Sequence, residues 1–243
     1  MTSATEPRPS AHLDALELLP AAGVAMPLLI LLHGVGSRAE DLLPLAHTLR
    51  ARFAQAAIVI PQGPQAFDGG PAGRQWFSVQ GVTEENRVPR VASALPPLID
   101  WIRATQQRLG VEASATALVG FSQGAILSLE AVTQVDGLVG RVLAFSGRYA
   151  QLPATAPQET TLHLFHGSVD PVIPVSHTRT AIEHLSALQG DITVDIAEGV
   201  GHQLHPALVD CALHRLTSHI PQRTWRAALG AARAAAEAEN DAD

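Results

Sequence analysis

The sequence predicts an α/β protein built on an open, mostly parallel sheet with helices on both faces. Two observations carry this. Short β-rich runs alternate with helix-length segments, and four of those runs are apolar at nearly every residue instead of at every other one. Strands covered on both faces carry no polar side, and regular alternation with helices is the mark of strand–helix–strand crossovers. A parallel sheet wrapped by helices satisfies both.

The strand runs are PLLILLHG (27–34), AAIVIPQG (56–63), ATALVGFS (115–122), RVLAFSG (141–147), TLHLFHG (161–167) and DITVDIAEG (191–199). Helical periodicity fills 38–52, 88–109, 123–135, 176–188 and 206–219. Pro96 and Pro97 fall inside 88–109, so that helix is expected either to kink or to begin at Pro97 as a first-turn residue. At 243 residues the chain fits one domain. The expected division is a disordered N-terminal segment over 1–12, a folded domain over 13–221, and an Ala-rich tail over 222–243. That tail is helical by propensity but poor in large apolar residues to dock it, so a helix and a disordered segment both remain open.

Sixteen Lys plus Arg against twenty-three Asp plus Glu give a net charge of −7. That balance repels phosphate backbones and anionic lipid, so nucleic acid is not an expected partner. The lone Cys211 forms no intrachain disulfide, fits a reducing compartment, and is expected as a small core side chain. The apolar stretch Leu16–Leu32 is broken by Pro20 and Pro27, has Asp14 and Glu17 where an export signal carries basic charge, and is too short to span a bilayer. A soluble cytoplasmic protein without stable membrane insertion is the expectation.

In open parallel sheets, ligands bind beyond the carboxyl ends of the strands. After the strand ATALV comes Gly120-Phe121-Ser122-Gln123-Gly124, followed at once by the helical AILSLEAV. G-x-S-x-G between a strand and a helix is the nucleophile elbow: the serine takes a strained turn that lifts its hydroxyl above the sheet, and the glycines let strand and helix cross closely beneath it. A serine hydroxyl needs a base to take its proton and an anion to hold that base. In this arrangement the chain order is Ser, acid, His. Asp170 lies just after TLHLFHG and His202 just after the next strand, in that order. His205 precedes Pro206 and is expected at a helix start, while His33 and His166, each before a glycine, are expected as imidazoles that support turns.

Two chemistries use the turn His33-Gly34-Val35-Gly36. Gly34, Gly36 and Ala39 satisfy G-x-G-x-x-A, the dinucleotide-binding spacing. That reading wants a carboxylate about twenty residues on, at the end of the next strand, where this chain has Pro61-Gln62-Gly63-Pro64. The other use is a second N–H donor toward a developing oxyanion. The oxyanion hole is accordingly assigned to the backbone N–H groups of Val35 and Gln123.

With LHGVG, PQGP, the Trp76-Phe77 pair, GFSQGA, FSG, HGSVDPVIP and GVGHQLHP in hand, the chain resembles the phospholipase/carboxylesterase family of α/β-hydrolases over roughly residues 25–220. That group includes acyl-protein thioesterases and small bacterial esterases. RQWFSVQGVTEENR looks like the bacterial esterase branch, with Ser78 where other members more often carry Asp. The resemblance implies an α/β-hydrolase fold and a serine hydrolase of acyl esters or thioesters, its substrate a small molecule, with no cofactor and no metal.

About a dozen residues separate FSG from the strand at 161, too few for a lid domain. The expected cover is the loop Gln62–Arg87, with Gly69, Gly70 and Gly73 permitting mobility and Trp76 and Phe77 as candidates to line an acyl groove. Two rival classes stand beside this reading: a non-catalytic binding module on the same fold, and a metal-dependent hydrolase suggested by eleven His. The second has no H-E-x-x-H, and His163 and His166, three apart on a strand, point to opposite faces.

Overall fold

The computed structural model describes residues 13–21 and 26–240; the segment expected over 1–12 lies outside them. Strands are β1 (Ala15–Leu18), β2 (Leu28–Leu32), β3 (Ala57–Pro61), the short β4 (Gln65–Ala66) and β5 (Arg74–Gln75), β6 (Thr116–Phe121), β7 (Arg141–Phe145), β8 (Thr161–Gly167) and β9 (Ile192–Ala197). Helices are α1 (Leu43–Arg52), α2 (Glu84–Leu109), α3 (Gln123–Gln134), α4 (Ser176–Ala187), α5 (Pro206–Ser218) and α6 (Gln222–Asn240). Among the described residues the main sheet has seven strands in the order β1-β3-β2-β6-β7-β8-β9, and β4 pairs with β5 as a separate ribbon.

Within the seven-stranded sheet every pairing is parallel except that of β1, which runs antiparallel to β3. The chain moves outward from β2 to β3 and then returns to lay β6 on the other side of β2. This reversal opens a crevice beyond the carboxyl ends of β2 and β6, where ligands bind in such sheets. Leu32 pairs with Gly120 across it, so the turns after the two strands begin side by side.

Alternating side chains of β2 feed two cores. Leu28, Ile30 and Leu32 join Leu98 and Ile102 of α2, Leu127 of α3 and Leu185 of α4. Leu29 and Leu31 join Leu45 and Leu49 of α1, Phe145, Phe165 and Leu208 of α5. The period of two along a strand thus explains why these runs carry no polar face.

Several boundaries differ from the sequence expectation. The edge strand β1 is absent from it. α2 begins at Glu84, not at 88 or at Pro97, and runs through Pro89, Pro96 and Pro97. Thr83 caps it, accepting from the Asn86 N–H while the Asn86 side chain reaches back to the Thr83 N–H. An interior proline costs about 3 kcal/mol, but Val91, Leu95, Leu98, Ile99, Trp101 and Ile102 are buried along this helix, each contributing about 1.5–3 kcal/mol for the aliphatic ones. Cys211 is half-buried at the edge of the second core, not fully inside it. Gly73 does not serve mobility: a side chain there would run into the backbone of Gly36, so glycine lets the ribbon loop lie directly on the turn after β2.

Candidate active site

β6 ends against α3 with no intervening loop, and Ser122 is the joint. Its backbone sits at φ 53° and ψ −115°, a conformation costly for a residue with a Cβ. Neighbours hold it there: the Ser122 N–H donates to Phe145 O at 2.9 Å and its carbonyl accepts from Ile126 N–H at 3.0 Å. Side chains at the flanking glycines would meet backbone, Ala125 in the case of Gly120 and Leu32 O in the case of Gly124. The close crossing of strand and helix therefore requires glycine at both.

The loops after β8 and β9 are tied to each other. Ser168 N–H donates to Ala197 O at 2.9 Å, Val169 N–H to Val200 O at 3.1 Å, and Gly199 N–H to Ser168 Oγ at 2.9 Å. This brings Asp170 to His202. The Asp170 Oδ2 to His202 Nδ1 distance is 2.7 Å, and His202 Nε2 lies 2.9 Å from Ser122 Oγ. An ionised carboxylate only accepts, so Nδ1–H donates to it and Nε2 is left to accept from the serine hydroxyl. The Phe121 ring supports the imidazole from 4.9 Å between centroids.

Burial pushes the Asp170 carboxyl upward, but bonds from His202, from the Ile173 N–H (2.9 Å) and from the Val172 N–H (2.8 Å) outweigh it and leave the group below its ordinary value. It is a carboxylate at neutral pH. His166 adds to this wall: its Nε2 donates to Ile173 O at 2.7 Å and lies 3.3 Å from Asp170 Oδ2, while Nδ1 accepts from Thr178 Oγ at 2.7 Å. Burial lowers its pKa, keeping it neutral. His33 is neutral for the same reason and accepts from the Gly63 N–H at 2.9 Å. His205 caps α5.

A cavity of about 210 Å³ opens at Ser122, with Val35, Gln123 and Phe77 in its lining. The Gln123 amide is the first of α3, one of the N–H groups a helix leaves without an internal partner. The Gln123 side chain has a part that sequence reasoning missed: Oε1 accepts from Trp76 N–H and Nε2 donates to Phe77 O, both at 2.8 Å. It clamps the loop carrying both aromatics to the elbow. Of that pair, Phe77 lines the cavity, whereas Trp76 turns into the core, its Nε1–H donating to His33 O at 2.9 Å and its ring lying on the His33 ring. Arg87, Arg148 and His177, none of them singled out by sequence, also line the cavity. No local pattern marks them, because they meet only through the fold.

Among the described residues no group of three or more His, Cys, Asp or Glu is arranged to hold a metal ion, and no helix is long and apolar enough to cross a membrane. His163 pairs with Thr193 at 2.8 Å and lies 3.2 Å from Arg141 Nη1.

The phospholipase/carboxylesterase family model matches residues 15–220. The chain belongs to the phospholipase/carboxylesterase family. Its fold is the α/β-hydrolase fold. Esterase YpfH of Escherichia coli K12 is 45% identical over 205 residues, covering 84% of this chain and 88% of that relative. An acyl-protein thioesterase 1 from Eremothecium gossypii is 28% identical over 202 residues, covering 76% of this chain and 84% of that one. Among solved structures, esterase PE8 superposes with a TM-score of 0.79 at 30% identity, over 86% of this chain and 99% of its own. For this family member, the serine elbow and its two partner loops are where the chemistry is to be sought.

Proposed function

We propose that this protein, a serine hydrolase of carboxylic esters, works through an acyl-enzyme on Ser122, with His202 as the base and Asp170 as the residue that orients it. The observation that carries the reading is the continuous line of hydrogen bonds from Asp170 through His202 to the Ser122 hydroxyl, 2.7 Å and then 2.9 Å. His202 takes the hydroxyl proton as Oγ attacks the acyl carbon. The charge that develops on the carbonyl oxygen is met by the backbone N–H groups of Val35 and Gln123, each such donor stabilising the transition state by about 2.7–4 kcal/mol. The imidazolium then gives its proton to the leaving alcohol or thiol, and water, deprotonated by the same imidazole, releases the acid. The substrate is an ester or thioester of an acyl chain, and Phe77 is proposed to line the acyl groove, with Trp76 acting beneath it through its hold on His33.

A cytoplasmic location is supported by the lone cysteine. The test of the mechanism is hydrolysis of 4-nitrophenyl butyrate by the wild type and Ser122→Ala. The expected loss in kcat is roughly 10⁴- to 10⁶-fold, with an unchanged unfolding midpoint. Retained turnover in the folded variant refutes the assignment.

A further inference from the structure

The cavity at Ser122 has walls of two kinds. Val79, Val82, Ile126 and Phe77 give it apolar sides, and Arg87 and Arg148 bring two guanidinium groups to the same space. Both arginine side chains are largely buried, 17% and 15% exposed, and both converge on Glu84, at 2.5 Å from Arg87 Nη1 and 2.9 Å from Arg148 Nη2. Glu84 is 68% exposed and so lies toward solvent. The two guanidiniums, Arg87 first, hold its carboxyl down at about 2. His177, also in the lining, is kept neutral by burial and by Arg148. Two cations against one carboxylate leave a net positive charge on a wall flanked by hydrocarbon, where field lines concentrate and an anion is favoured.

We propose that the preferred acyl chain is short and carries an anionic group, carboxylate or phosphate, at its far end, read by Arg87 and Arg148. This rests on Ser122 being the acylated residue. In the acyl-enzyme the chain stays on Ser122 while the alcohol departs to solvent, so the chain needs a housed volume, and the cavity shared with Ser122, Val35 and Gln123 provides it. At about 210 Å³ it falls below the roughly 300–1,000 Å³ of sites for drug-sized ligands, which sets the chain as short. Apolar sides take its methylenes, and a planar or tetrahedral oxyanion terminus competes with Glu84, which both Nη groups of Arg148 now hold at 3.2 Å and 2.9 Å, for the guanidinium charge.

The experiment compares kcat/KM for 4-nitrophenyl hexanoate with that for mono-4-nitrophenyl adipate and for 4-nitrophenyl 5-phosphonopentanoate, corrected for enzyme-free hydrolysis. Wild type is expected to favour at least one anionic ester by about tenfold or more, and the two anionic arms separate carboxylate from phosphate readers. Arg87→Gln and Arg148→Gln each bring the anionic-to-neutral ratio toward one, and Glu84→Gln raises it by removing the competing carboxylate. Because each ratio is taken within one preparation, any loss of folded protein cancels. A wild-type ratio of one or below, a ratio unmoved by both arginine variants, or a fall with Glu84→Gln makes the arginines a brace between α2 and the loop after β7 and overturns the proposal. If the neutral ester is still cleaved in a Ser122-dependent way, that result leaves the mechanism standing; cleavage of every ester by Ser122→Ala removes the mechanism itself.

Discussion

Ser122 is held at a positive φ by bonds to β7 and α3, and its hydroxyl ends a hydrogen-bonded line whose far member is a carboxylate kept ionised by three donors. Asp170→Asn keeps the shape but favours the wrong imidazole tautomer, so kcat is expected to fall by roughly 10³- to 10⁴-fold. The same residue makes a pH prediction. Its folded pKa lies below the ordinary carboxylate value, so its stabilising contribution is complete above about pH 4 to 5 and is lost as the pH falls through the folded pKa. Denaturant midpoints measured between pH 6 and pH 3 should fall more steeply for wild type than for Asp170→Asn; parallel curves contradict this. Gln123 offers a different readout. Gln123→Ala leaves the buried Trp76 N–H and Phe77 carbonyl without their partner, a cost of about 1–3 kcal/mol each if unsatisfied, and by loosening the Phe77 loop it should raise KM along with lowering the thermal midpoint.

At the scale of elements, the elbow is a packing problem solved by glycine. Gly124→Ala would push a methyl against Leu32 of the neighbouring strand, and overpacking of this kind costs about 1–3 kcal/mol; urea unfolding of the variant should show a loss of that size, and an unchanged midpoint would mean that β2 yields freely. This scale also separates what is legible in the sequence from what is not. β2, β3, β6 and β7 announce themselves because burial on both faces leaves a nearly unbroken apolar run, and the order Ser122, Asp170, His202 is readable because each follows a strand run. β1 is not legible: it is four residues with Glu17 among them and lies at the sheet edge, half-buried. The start of α2 is obscured because Pro89, Pro96 and Pro97 read as breaks, while the apolar face that overrides them acts only in the folded state. Arg87 and Arg148 are silent in sequence because their shared partner, Glu84, is 64 residues from Arg148.

Across the whole molecule, the reactive groups gather at one edge of the sheet and the last helix attaches at the other. Gln222 N–H donates to Asp191 Oδ2 at 3.0 Å, just before β9; Arg223 Nη1 donates to Thr161 Oγ, where β8 begins, and Arg226 to Gln158. Asp191 also accepts from Thr161 Oγ at 2.6 Å and pairs with His219 at 3.1 Å. Truncation after Pro221 is therefore expected to lower the thermal midpoint by a few degrees, about 1 kcal/mol in a protein of this size giving about 2–4 °C, while kcat/KM for a nitrophenyl ester stays within a factor of about two. A large loss of activity without unfolding would place the tail in the site.

The most direct test of the account is the position at which a fluorophosphonate, a phosphorus mimic of the tetrahedral acyl centre, becomes attached to the protein. Peptide mapping by mass spectrometry should find a single stoichiometric adduct on Ser122 in the wild type and a labelling rate reduced by orders of magnitude in His202→Ala. An adduct on any other residue, or equal labelling of Ser122 without the imidazole, would contradict it.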